Sequence, residues 1–378
     1  MRILQVHNRY QNLTGEEAVV QEEFDLLNSR GHEVIQFTKS NEHIEGASLM
    51  RRIQIAKNLK SSNTIKLEFR ELLNRERPDL VHVHNVFPLI TPVVFEVSKK
   101  LNIPTVFTLH NYRLLCVNTL FYRDGQVCED CLSKTLFEGI KHKCYNNSYS
   151  QSILMANAIA FHNKKGTWIN DVDVFACMSE FAKTKFISGG IPENKITVKP
   201  NFVAVNNTRP IFEEFFLYAG KLEEQKGLLD FIELAGNTKS IKYKVVGYCP
   251  TPNILEEIPN VEYLGQLERY KLLELMRECR AVLFLSKMYE GMPMTILEAF
   301  ANTKAVVARN LGAMAEMISH GSNGLLFERP EELKEAVLCL SNKSVAMEMG
   351  EAAFSSFQVK YSPDIAYKNL LKIYQSIL

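Results

Sequence analysis

Two glutamates eight positions apart, Glu290 and Glu298, flank the turn Gly291-Met292-Pro293-Met294-Thr295. The turn follows the apolar run Ala281-Val282-Leu283-Phe284-Leu285-Ser286, whose length and composition suit a buried parallel strand. The order is strand, turn, helix. Pro293 suits a first helical position, and Gly291 lets backbone approach a ligand, so the N–H groups of Met294 and Thr295 are free to face an anion. Two acids beside an anion are a poor choice if phosphate is the only partner, because like charges repel. They make sense if each reaches hydroxyls, as on a sugar and a ribose. The implied ligand is a nucleotide sugar.

Lys221 and Lys226 follow a second strand-like run, Phe215 to Ala219, at the end where a pyrophosphate would lie. Two ammonium groups there would stabilise charge growing on a departing nucleoside diphosphate. His110 ends the strand Thr105 to Leu109, and a histidine so placed can hydrogen bond a sugar hydroxyl or a phosphate oxygen. His82 and His84 end another strand, and alternation puts both on one face; no third metal ligand is fixed beside them, and His84 is read as an acceptor-side residue. Cys116, Cys128, Cys131 and Cys144 lie together in the stretch after His110. In a cytosolic protein that spacing favours metal over disulfide, either as a structural four-thiolate zinc site with no open position or, in the alternative, as small buried thiols.

The elements that must position these groups alternate. In the first half, strands at Arg2–His7, Glu33–Thr38, Leu80–His84, Thr105–Leu109 and Val174–Met178 are separated by helix-like segments, including Glu17–Ser29 and a basic stretch over residues 50 to 76. The second half repeats the grammar, with strands at Phe215–Ala219, Tyr243–Val246, Val261–Leu264, Ala281–Ser286 and Ala305–Ala308, and helices that include Ala313–Ile318 with Glu316 in its first turn. The fold class is α/β with two Rossmann-like domains: residues 1–203 with an insertion over about 112–150, residues 204–360, and a closing helix over 361–378 that packs back on the first domain. Ligands in such sheets sit at the carboxyl ends of strands.

Charge is balanced, 44 basic against 43 acidic residues in 378, which gives no support to a nucleic-acid partner. No apolar run reaches the roughly 18 to 20 residues needed to cross a bilayer, and the opening residues are too short an apolar core for a signal peptide, so a cytosolic protein is expected. Arg51, Arg52, Lys57, Lys60, Lys99, Lys100, Lys141, Lys143, Lys164 and Lys165 make the first domain locally basic.

Read in order, these segments resemble the retaining glycosyltransferases of family 4, whose two Rossmann-like domains face each other across a cleft in the GT-B fold. The likeness rests on the Glu-x7-Glu element from Glu290 to Glu298, on Gly220-Lys221-Leu222-Glu223-Glu224-Gln225-Lys226-Gly227, and on Leu311-Gly312-Ala313-Met314-Ala315-Glu316. Gly31-His32-Glu33-Val34, Val81-His82-Val83-His84, Thr108-Leu109-His110-Asn111 and Lys199-Pro200-Asn201 add to it. The resemblance implies that Glu298 accepts hydrogen bonds from the ribose hydroxyls and Glu290 from those of the donor sugar. It gives Lys221 and Lys226 a leaving-group role, although the family usually has Arg at the position of Lys221, and it places His110 in the active site. Gly220 and Gly291 to Thr295 fall on the donor side, and Gly15, within Thr14-Gly15-Glu16-Glu17, where a Gly-rich loop approaches donor or acceptor. Such enzymes are typically metal independent. The expected function is transfer of a sugar from a nucleoside diphosphate donor to a glycan or lipid-linked acceptor of a surface polysaccharide, with peripheral contact of the basic surface at an anionic inner leaflet. The alternatives are a sugar-nucleotide epimerase of the same fold or a catalytically silent nucleotide-sugar-binding partner.

Overall fold

In the computed structural model, which describes residues 1–10, 15–42, 49–204 and 209–378, the apolar runs form two six-stranded sheets, each parallel throughout. In chain order the strands are β1 (Arg2–Arg9), β2 (Glu33–Ser40), β3 (Leu80–Asn85) and β4 (Thr105–Leu109). A short antiparallel hairpin follows, β5 (Tyr122–Arg123) and β6 (Gln126–Val127), then β7 (Val174–Cys177) and β8 (Ile196–Val198). The second sheet uses β9 (Phe215–Ala219), β10 (Lys242–Val246), β11 (Val261–Tyr263), β12 (Ala281–Phe284), β13 (Val306–Arg309) and β14 (Gly324–Phe327). β3, β4 and β9 are buried along their whole length, as parallel strands covered on both faces require.

The chain divides into two units. The first comprises Met1–Phe121, Glu129–Pro200 and Ala366–Leu378; the second comprises Tyr122–Cys128 and Asn201–Ile365. The first sheet runs β2-β1-β3-β4-β7-β8, so its strand order reverses between β1 and β3; the second runs β11-β10-β9-β12-β13-β14 and reverses between β9 and β12. Crevices at the carboxyl ends of strands open at such reversals. His7, Asn8, His84 and Asn85 therefore end at the first switch point. Gly220 and Lys221, with Ser286 to Glu290, follow the strands of the second.

Several local expectations shift. The basic stretch over 50 to 76 is two helices, Leu49–Asn58 and Asn63–Glu76, because the Ser62 side chain accepts from the Ile65 N–H and starts the second one. The helix after β12 is Met294–Ala301, and Pro293, with ψ of 116°, is its extended N-cap and not its first helical residue. The strand β14 and the helices Pro330–Ser341 and Lys343–Lys360 complete the second unit, whose core joins Phe216, Tyr218, Phe231, Tyr243, Leu283 and Val337. The final helix, Pro363–Gln375, places Tyr374 against the first unit, where its hydroxyl lies 2.8 Å from His82 Nδ1.

Candidate active site

At the second switch point the loops after β9 and β12 converge. Lys226 Nζ donates to Glu290 Oε1 at 2.7 Å, and Ser286 Oγ donates to the same oxygen at 2.7 Å. The backbone supports this contact, since Lys287 N–H donates to the Gln225 carbonyl and the buried Tyr218 hydroxyl to the Lys226 carbonyl. Glycines let these loops pass closely. Gly247 ends β10 at φ of +140°, and a Cβ there would overlap the Gly220 carbonyl oxygen; Gly227, at φ of +87°, would meet the Leu285 carbonyl. Space beside Gly220 itself stays open, with nothing within 4 Å of the position a Cβ would take.

No side chain caps the helix Met294–Ala301. Its first N–H groups, those of Met294 and Thr295, keep the partial positive charge of a helix start. Met292 is buried, its sulfur accepting from the Asn201 N–H at 3.1 Å. Glu298 is only 9 % exposed, and its Oε1 lies 3.0 Å from Arg269 Nη2. The structure thus joins Lys226 to Glu290, gives Glu298 an arginine that sequence reading missed, and leaves Lys221 exposed. Glu316 sits on the short helix Gly312–Met317. A separate cavity of about 340 Å³ lies between the hairpin residues Gly125–Val127 and the ion-paired Asp230, Lys287 and Arg309. None of the expected donor-binding residues lines it.

In the first unit His110 and His84 are paired, Nε2 to Nδ1, at 2.9 Å with stacked rings. Asn85, Thr108, Asn111 and Arg113 line the small crevice around them. His82 does share a face with His84, their ring centroids 4.3 Å apart. Both His82 nitrogens are engaged, by Tyr374 and Thr108. Burial drives the imidazoles toward neutrality: His82 falls to about 4 against the opposing Glu23 charge, and His84 and His110 drop well below the usual histidine value, where neighbouring imidazoles and Lys199 add to the effect.

Beneath them lies a pair that sequence reading missed, Glu23 with Lys199, both essentially inaccessible. Glu23 interrupts the apolar stripe Val19, Val20, Leu26, Leu27 of its helix, a signal that a carboxylate enters the core. Glu23, His82 and His84 are, among the described residues, the group of three or more metal-type side chains whose ligand atoms lie within 4.8 Å of one another. The Lys199 ammonium already compensates Glu23, which argues against a cation there.

Gly15 opens the helix Gly15–Ser29; Thr14 lies outside the described residues. The next two residues enclose His7, with Glu16 at 3.8 Å and Glu17 at 3.6 Å. Burial, then the Glu17 charge, pushes the Glu16 carboxyl up to about 8. The expected zinc set does not gather as one site among the described residues. Cys116 donates instead to Asn118 Oδ1, and the neighbouring Cys131 holds its thiol below the usual cysteine value.

Residues 13–207 match the family described as Glycosyltransferase Family 4, and residues 213–343 match Glycosyl transferases group 1. An uncharacterized glycosyltransferase of Methanocaldococcus jannaschii is 24 % identical over 323 residues, covering 82 % of this chain and 78 % of that protein. The alpha-galactosylglucosyldiacylglycerol synthase of Streptococcus pneumoniae is 28 % identical over 218 residues, 50 % of this chain and 57 % of its own. Among solved structures, Anabaena HepE in complex with UDP and glucose superposes over the full length of both chains with a TM-score of 0.64 and 16 % identity. That likeness shows the fold, a two-domain GT-B arrangement of Rossmann-like units.

Proposed function

This chain belongs to glycosyltransferase family 4 and is a glycosyltransferase, and from that premise we propose that it transfers a hexose, with retention of configuration, from a nucleoside diphosphate donor to a glycan or lipid-linked acceptor in surface polysaccharide synthesis. The epimerase reading is set aside, because both matched families are glycosyltransferases. The observation that carries the proposal is the convergence of Lys226, Glu290 and Ser286 beside an uncapped helix start at the β9/β12 switch point.

In this reading the Met294 and Thr295 N–H groups and Lys226 hold the diphosphate, Glu290 orients the sugar through its hydroxyls, and Glu298 takes the ribose. The bond from the anomeric carbon to the phosphate oxygen breaks, and the acceptor oxygen bonds the same face of that carbon. The acceptor proton passes to the leaving phosphate, whose growing charge Lys226 stabilises. The test is a panel of nucleotide sugars, uridine donors first, read by thermal shift and by turnover with glycan acceptors. A stabilising donor that Glu298→Ala no longer recognises supports the assignment. No shift with any donor would refute it.

A lipid-linked acceptor is favoured by one surface. Met50 and Ile53 project from the helix Leu49–Asn58, and Ile153, Leu154 and Phe161 from the helix Tyr149–Lys165, all exposed. Lys60, two residues beyond the end of the first of these helices, lies 5.5 Å over the Phe161 ring, so a basic group adjoins the exposed apolar residues of the second. Other lysines are spent elsewhere: Lys66, Lys100 and Lys165 surround Glu96, and Lys99 pairs with Asp173.

A further inference from the structure

We propose that Gln5 and His84 are positioning residues that hold the His110 proton on Nδ1, so that His110 meets its ligand as a hydrogen-bond donor and not as a base. The inference rests on the transferase reading of this crevice but is tested apart from it. A line of side chains crosses four adjacent strands, from Gln36 on β2 through Gln5 on β1 and His84 on β3 to His110 at the end of β4. Its direction is set at Gln5. Gln5 Nε2 donates to the Val20 carbonyl at 3.0 Å, and a carbonyl can only accept, while Gln5 Oε1 accepts from Gln36 Nε2 at 2.8 Å.

The same Gln5 Nε2 lies 3.5 Å from His84 Nε2. An amide nitrogen has hydrogens but no lone pair to offer, so His84 Nε2 is the acceptor and the neutral ring carries its proton on Nδ1. His84 Nδ1 then donates to His110 Nε2 at 2.9 Å. His110 is neutral too, so its own proton sits on Nδ1. No further hydrogen bond to the half-buried His110 ring is made among the described residues, which leaves Nδ1–H for an oxygen of the ligand, a phosphate oxygen or a sugar hydroxyl. A nitrogen that already carries a proton cannot take one from the acceptor hydroxyl. The base must then be another group, in keeping with proton transfer to the leaving phosphate.

Two-bond ¹H–¹⁵N correlation spectra of the full chain, labelled at histidine and assigned by the signal lost in His110→Ala, read the tautomer directly. The expected spectrum has protonated Nδ1 and unprotonated Nε2 at His110. Gln5→Glu replaces a donor by an acceptor; it should turn both rings over, move the His110 proton to Nε2 and lower kcat/KM about a hundredfold. Gln5→Met, which preserves volume without a donor, covers the case in which a buried carboxylate prevents folding and should give a His110 signal averaged between tautomers. A proton on Nε2 in the wild type, or a signal unmoved in the folded Gln5 variants, would overturn the proposal. Because these spectra need no substrate, failure to find a donor sugar leaves their outcome readable and counts only against the transferase assignment.

Discussion

An ammonium held 2.7 Å from a carboxylate is ready to meet phosphate without reorganising, and that is the condition of Lys226 beside Glu290. Replacing Lys226 with Met should therefore lower kcat/KM by about 10²–10³ in steady-state assays, the scale expected for losing one preorganised charge at a developing anion. Lys221, exposed and outside that contact, should matter less. Protonation has its own signature. Between about pH 6.5 and about pH 4 the unfolded chain takes up protons that the folded His82, His84 and His110 refuse, so stability falls on acidification. Glu16 has the opposite sign: folded, it keeps its proton up to about pH 8, while the unfolded carboxyl releases it near 4.5, so its contribution is lost as pH rises. Thermal unfolding should peak near pH 6.5, and a melting temperature still climbing at pH 8 would contradict these assignments. Lys226 and Glu290 were legible because each follows its own strand. The Glu298–Arg269 and Glu23–Lys199 contacts were not, since the latter spans 176 positions and no local pattern names the partner.

At the scale of elements, strands with continuous apolar runs were readable almost to the residue, for an alternation of buried strands and amphipathic helices leaves few other folds. What escaped was the hairpin of β5 and β6, the break that Ser62 makes, the strand β14 and the two helices Pro330–Ser341 and Lys343–Lys360 that follow it. The turns after β9 and β10 depend on missing side chains. Gly247→Ala should destabilise the protein by roughly 1–3 kcal/mol or more in denaturant titrations, because its Cβ has no space and the backbone conformation is strained for any other residue. Tyr374→Phe should cost about 1–2 kcal/mol, since it removes the partner of a buried His82 nitrogen.

For the whole molecule a formal charge of +1 offers no general attraction to an anionic bilayer, so any binding must come from the local face that includes Lys60 and Phe161. Flotation with vesicles containing anionic lipid should capture the protein at low salt and release much of it at high salt, each basic group adding about 1 kcal/mol. Ile53→Glu with Leu154→Glu should abolish capture; binding unchanged by both would remove the membrane from the reading. No described helix is long and apolar enough to cross a membrane.

The chain's path between its two units also decides how it can be cut. Tyr122–Cys128 belongs to the second unit although the residues on either side belong to the first, and Ala366–Leu378 returns to the first after the second is complete. A gene fragment ending at Pro200 would thus lose the tail that supplies Tyr374, and one beginning at Asn201 would lack the hairpin. Expression of either half alone should give poorly soluble material, whereas co-expressed fragments nicked within residues 205–208 retain every segment and should reassemble.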